Sequence, residues 1–227
     1  MKKIKFFICF SFLFVGLIHS NANNIELHDF ESVSVFGKIE VRLEKADKNS
    51  IEFIQGDYNQ DLVSFVVEEN ELKVRLLKEF PRDIKARVTI YHKGISSLKV
   101  GGGAKVYNKG AIDVNVFTIE SKSGSSVDLL INADSISAKV NRGAFVRLTG
   151  KSNILKFKTA SAGVLRTNDL ICNSVFAKMR GGTAEVDVLE YLEVKVWFGA
   201  TLKYKKKPNK LIKGSFAGGK VGLLEDY

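Results

Sequence analysis

The residues that could do chemistry are present in this chain, but they do not gather. Glycoside hydrolysis needs two carboxylates facing one cleft at a set separation. Here Asp113, Glu120, Asp128, Asp134, Asp169, Glu185, Asp187, Glu190 and Glu193 are scattered. The last four form the one local acidic group, which reads as solvated surface. Beyond residue 22 the histidines are His28 and His92, far apart and without a second ligand at helix or turn spacing, so no zinc site is expected. Gly101-Gly102-Gly103 lacks the Lys-Ser/Thr and the strand-to-helix context of a phosphate loop. GGGAKV at 101–106 and GGTAEVD at 181–187 resemble a calcium-binding nonapeptide only superficially. The acid is missing or displaced, and the period is about 20 residues, not nine. No catalytic residue, metal ligand or cofactor site is therefore expected, and the chain does not read as an enzyme.

Cations and aromatics are the remaining candidates. Lys203, Lys205, Lys206, Lys207 and Lys210, with Lys213 beyond them, form the densest basic run and a candidate polyanion patch. The plainer reading is a solvated turn whose lysines also protect strand edges. Phe117, Phe157 and Phe176 fall in alternating strands, while Trp197, Phe198 and Phe216 fall near corners. Such aromatics stack and cap, or form a platform for sugar or lipid.

What positions these residues is a repeat. A glycine-centred unit recurs seven times at intervals of about 20 residues: GGGAKV (101–106), SGSSVDL (123–129), RGAFVRL (142–148), SAGVL (161–165), GGTAEVDV (181–188), FGATLKY (198–204) and AGGKVGL (217–223). The slot is held by Gly103, Gly124, Gly143, Ala162 (with Gly163 beside it), Gly182, Gly199 and Gly218. Around each slot apolar residues alternate with Lys, Arg, Glu, Asp and Ser, the period of a strand with one buried face. The fifth unit slips by one, Val186 and Val188 taking the apolar role, which reads as a one-residue bulge. A strand–corner–strand unit of this length is too short for a propeller blade and carries no helix. It fits the coil of a parallel β-helix, whose copies stack at roughly 4.8 Å. The corner glycine serves a left-handed backbone or close approach of the stacked chain.

Residues 1–22 read as a secretory signal peptide: Lys2, Lys3 and Lys5, an apolar run from Phe6 to Ile18, then Ser20-Asn21-Ala22. Cys9 lacks the small residue before it that a lipoprotein signal needs, so the expected product is exported, not lipid-anchored, and has no transmembrane segment after signal removal. Its location is expected to be the periplasm, the outer-membrane surface or the medium. Removal takes the formal charge from +10 to about +7 and leaves Cys172 as the one cysteine, so no internal disulfide forms. Residues 23–227 read as one domain.

The N-terminal part is less regular. Residues 30–44 alternate around Gly37 and 50–57 around Gly56, which reads as the first coils of the same ladder. Residues 62–77 read as an antiparallel hairpin with Glu68-Glu69-Asn70 at its tip.

The chain resembles the family of putative auto-transporter adhesins that carries the head GIN domain. The resemblance rests on F-x-x-V-x-V-x-G (Phe30, Val33, Val35, Gly37), Q-G-D-x-N (Gln55, Gly56, Asp57, Asn59), the serial Ser/Gly corners and a late Y-x-x-x-P (Tyr204, Pro208). The family prefers Ser-Gly-Ser-Gly corners, from which Gly143, Ala162 and Gly199 depart. The resemblance implies an exported bacterial protein shaped as a right-handed parallel β-helix. The function expected is a non-enzymatic binding scaffold of the envelope or cell surface, with a glycan or another protein's surface as partner. The alternatives are a lipid- or small-ligand-binding envelope protein and, lowest, a carbohydrate-active enzyme. No nucleic-acid partner is expected. The C-terminal coil, which has no obvious cap, is expected to pair with a second copy of the chain.

Overall fold

Alternation of apolar and polar residues between left-handed corners winds this chain into a β-solenoid of about 7 turns, each coil about 19 residues long. The computed structural model describes residues 23–54, 62–77 and 86–226. The leader read over 1–22 and the Gly56 corner lie outside these residues. Among the described residues no helix is long and apolar enough to cross a membrane.

The regular part is a parallel ladder. It runs through β8 (Ser97–Gly101), β9 (Lys105–Lys109), β10 (Ile112–Ser121), β11 (Ser126–Val140), β12 (Phe145–Ala160), β13 (Val164–Arg180) and β14 (Thr183–Trp197). It ends with β15 (Thr201–Tyr204), β16 (Lys210–Ser215) and β17 (Lys220–Leu223). Each coil pairs with the next in parallel, as in Phe117↔Ile136, Ile136↔Leu155, Leu155↔Val175 and Val175↔Leu192. These partners form one inward column, all fully buried. Burying each such side chain contributes about 1.5–3 kcal/mol. An acid at Ile136 would break the column by placing an unpaired charge between Phe117 and Leu155.

Each corner is a two-residue turn with both residues left-handed. Arg142 (φ 51°) precedes Gly143 (φ 70°), and the Ala144 amide donates back to the Asn141 carbonyl at 3.2 Å. The Gly143 amide donates to the Ser161 carbonyl of the next corner at 3.0 Å, so the turns are laddered as the strands are. Nothing lies within 4 Å of where a Gly143 side chain would start, so the backbone conformation alone asks for glycine there. Close approach governs Gly182, where a Cβ would meet the Gly163 carbonyl. Ala162 sits in its slot at φ 61°.

The slip in the fifth unit is a correction to the bulge expected there. Ala160 pairs with Arg180 and Val164 with Thr183, so three residues on β12–β13 face two between β13 and β14. The corner itself is one residue short, and Glu185 pairs with Arg166 on the outward side.

The N-terminal part departs further from the expectation. β2 (Ser32–Phe36) and β3 (Ile39–Lys45) form a coil around Gly37. This coil lies between β8–β9 on one side and β6 (Glu71–Leu76) with β7 (Ala86–His92) on the other. The chain's first coil is thus not the ladder's first. The described part of the next expected coil is not one: β4 (Ser50–Phe53) runs antiparallel to β7 and to β1 (Asn23–Glu26). β5 (Val63–Glu68) runs antiparallel to β6 through a tip at Glu69 and Asn70, both left-handed, so the hairpin is present and covers one end of the ladder.

Candidate binding surface

The arm before each corner carries Phe117, Ile119 and Ser121, or their equivalents, inward. The residues between them point out and stack in register. One such column reads Glu120, Lys139, Lys158, Lys178, Lys195, then Gly214. Four lysines of four successive coils therefore stand directly opposite one another, at a strand spacing of roughly 4.8 Å. All four are exposed. None forms an ion pair with another described residue. Like charges placed directly opposite on neighbouring strands repel and cost stability.

The next column along the same arm reads Thr118, Ser137, Lys156, Phe176, Glu193 and Ile212. Between the two columns runs a shallow groove of about 580 Å³, lined by the four stacked lysines with Lys156, Ile154, Phe176 and Glu193. Phe176 packs on Tyr191 at 5.4 Å between ring centres. The Tyr191 hydroxyl donates to Glu193 at 3.1 Å, and burial followed by that carboxylate pushes the phenol above its ordinary value. Arg180 lies over the Trp197 ring at 6.0 Å, and Trp197 stacks on Phe216 at 5.5 Å. The face therefore combines a cationic edge with apolar ring surface.

The arm after each corner handles charge differently. Its outward column reads Asp128, Arg147, Arg166, Glu185, Lys203. Asp128 takes both Arg147 contacts, which raises the guanidinium further, and Arg166 reaches Glu185 at 3.8 Å. Charge compensation is thus available in this ladder and is used one arm away.

A second column of polar side chains marks the other corner of the coil. The strand register skips Asn115, Asp134, Asn153 and Asn173. Asn153 donates to Asp134 at 3.2 Å and accepts from Asn173 at 3.1 Å; Asn209 donates to Glu190 at 2.6 Å. Each of these six residues stands nine positions ahead of a corner slot, a periodicity in the sequence that locates the second corner. Its role is to tie coil to coil.

The lysines of the dense run at 203–210 have different surroundings. Lys203 pairs in register with Glu185, Lys205 binds Asp187 at 3.5 Å and the Asn168 carbonyl at 3.2 Å, and Lys210 lies over the Tyr191 ring at 5.6 Å. Lys206 and Lys207 are exposed in the connection to β16. The four stacked lysines escaped that reading because they are 17 to 20 residues apart; the repeat period was the signal that could have found them.

Among the described residues no cluster of three His, Cys, Asp or Glu could hold a metal. Cys172 is buried, and burial followed by the Asp187 charge pushes its thiol up to about 12, too high for a nucleophile at neutral pH. His92 is buried beside Lys45 and held down to about 4.

Residues 29–208 match the family described as "Putative auto-transporter adhesin, head GIN domain". No curated protein matches the chain. Among solved structures, a putative adhesin of Bacteroides fragilis is 18% identical, with a TM-score of 0.81 over 88% of this chain and 95% of that one. A protein of Parabacteroides distasonis, described as a putative lipid binding protein, is 15% identical, with a TM-score of 0.65 over 88% and 95%. A putative adhesin of Parabacteroides merdae is 16% identical, with a TM-score of 0.65 over 88% and 94%. At these identities the likeness is one of fold.

Proposed function

This chain belongs to the family described as "Putative auto-transporter adhesin, head GIN domain", and from that premise we propose that it is an exported, non-enzymatic binding scaffold of the cell envelope. The observation that carries the reading is the outward face of the arm before the corner. Its side chains repeat in register over successive coils, and a shallow groove runs between two of its columns. A regular, open face offers the same contact again at each coil, which suits an extended ligand. A catalytic site needs instead a walled cleft with convergent groups.

Lipid binding is the rival reading, and one structural neighbour is described in those terms. The coil interior weighs against it. Buried side chains from Phe30 to Tyr204 form one continuous core cluster, and a bound acyl chain would need that space.

The test is an array of glycans, envelope proteins and lipids probed with the chain from Asn23 onward. Selective retention on glycans or proteins is the expected result. Retention on lipids alone would replace this reading with its rival.

A further inference from the structure

We propose that the column Lys139–Lys158–Lys178–Lys195 is the contact surface for a linear anionic polysaccharide, lying along the direction in which the coils stack. The proposal rests on the scaffold reading and deepens it by naming the ligand class.

The first observation is the charge itself. Four exposed ammonium groups stand in direct register without an ion-pair partner among the described residues. The same ladder pairs Arg147 with Asp128 and Arg166 with Glu185 on its other arm. An uncompensated column that costs folding stability gains from a ligand that supplies the missing anions.

The second observation is the shape. The column is one residue wide, since parallel in-register strands carry it. At its lower end Glu120 takes the same position and is met by Lys122 at 3.7 Å, so the uncompensated stretch begins at Lys139. Single-file cations at regular spacing match a polymer that carries its charges single-file. A nucleic-acid duplex carries two strands of phosphate around a thick rod. An anionic bilayer presents charge in two dimensions.

The third observation is what lies beside the charge. The groove along the column is floored in part by Ile154 and Phe176, with Lys156 on its far side. Sugar rings present apolar C–H faces that pack on such a floor while their carboxylate or sulfate groups reach the lysines. Lysine's long flexible stem lets one column accept either anion.

The experiment measures binding of the chain from Asn23 onward to heparin and to polygalacturonate over a salt series, with dextran as neutral control. One variant carries Lys139→Gln, Lys158→Gln, Lys178→Gln and Lys195→Gln. A charge-matched variant carries Lys38→Gln, Lys105→Gln, Lys151→Gln and Lys220→Gln, all exposed and off the column. The column variant should lose about tenfold or more in affinity, with a logarithmic salt slope shallower by about 3, while the matched variant loses less than about threefold. Heparin and polygalacturonate then distinguish sulfate from carboxylate recognition. Equal losses in the two variants would overturn the proposal, as would tighter binding to single-stranded DNA or to phosphatidylserine vesicles than to either polysaccharide. Binding to dextran or other neutral glycans alone would sink the column and leave the scaffold standing. A chain that binds no glycan or protein surface would remove both. Thermal melting at low salt guards against misfolding: the column variant should melt no lower than the unsubstituted chain.

Discussion

Lys139 and Lys158 stand directly opposite each other on β11 and β12, two like charges in one register pair. On the same two strands, one arm away, Asp128 and Arg147 are register partners and form an ion pair. The same backbone pairing thus carries repulsion on one face and attraction on the other.

Reversing one charge in the column should therefore stabilise the fold. Lys158→Glu places an acid between Lys139 and Lys178 and is expected to raise unfolding stability by about 0.5 kcal/mol at low salt. Denaturant melts should show the gain shrinking in about 0.5 M salt. A loss of stability at low salt would mean that the lysines do not interact across the ladder.

Corner conformation sets a second expectation. Gly143→Val forces a β-branched residue to φ 70° and should cost about 1–3 kcal/mol more than Lys139→Val on the exposed face. The reverse change, Ala162→Gly, removes a side chain held at φ 61° and should gain about 0.5–1 kcal/mol. Equal midpoints for Gly143→Val and Lys139→Val would show that the corner tolerates any residue.

His92 gives the fold an acid-sensitive point. Burial, with the Lys45 charge second, lowers its folded value to about 4 from the ordinary 6.5. The unfolded chain takes up the proton near 6.5 and the folded chain only near 4, so stability is whole above 6.5 and is lost as pH falls toward 4. The loss should be about 2 kcal/mol. Melts at about pH 7.5 and about pH 4.5 should show a smaller drop for His92→Leu; equal drops would assign the acid sensitivity to other groups.

No further strand pairs at the far end of the ladder among the described residues. β16 and β17 are its last strands, and Ile212 and Phe216 are exposed there, at 43% and 51%. Lys213 occupies the inward row opposite Val194, a charge that limits pairing to a specific contact. Light scattering should show self-association of the chain from Asn23 onward, weakened by Ile212→Lys or by ending the chain at Lys213. A strictly monomeric parent chain would end the idea.

Export should leave a product that starts near Asn23. Mass spectrometry of the secreted protein checks this, and a product that retains Met1 would contradict it.

Much of the fold could be read from the glycine slots, because a left-handed corner accepts few residue types and so leaves a mark at each coil. The first residue of the same turn left none: Ser123, Arg142, Ser161, Phe198 and Ala217 are all left-handed and share no chemistry. Their conformation is imposed by the glycine or alanine that follows and by the laddered turn next door. The N-terminal order was hidden for another reason. Alternation in residues 50–57 marks a strand but not its direction, and β4 lies antiparallel where the pattern alone pointed to another coil. The lysine column was missed because a solenoid turns separation along the chain into contact. Single lysines one period apart in the sequence became neighbours in the fold.

The placement of β2 and β3 between β6–β7 and β8–β9 has a consequence for how the molecule comes into being. Residues of this first coil meet partners about 65 positions later, as Glu31 meets Ser96, whereas the regular coils meet theirs about 19 positions on. As the chain is made N-terminus first, β2 and β3 appear with both edges bare and wait for partners on either side. The later coils can each be laid down on a finished template. The slow step of folding therefore belongs to the N-terminal coils, not to the regular ladder that follows them.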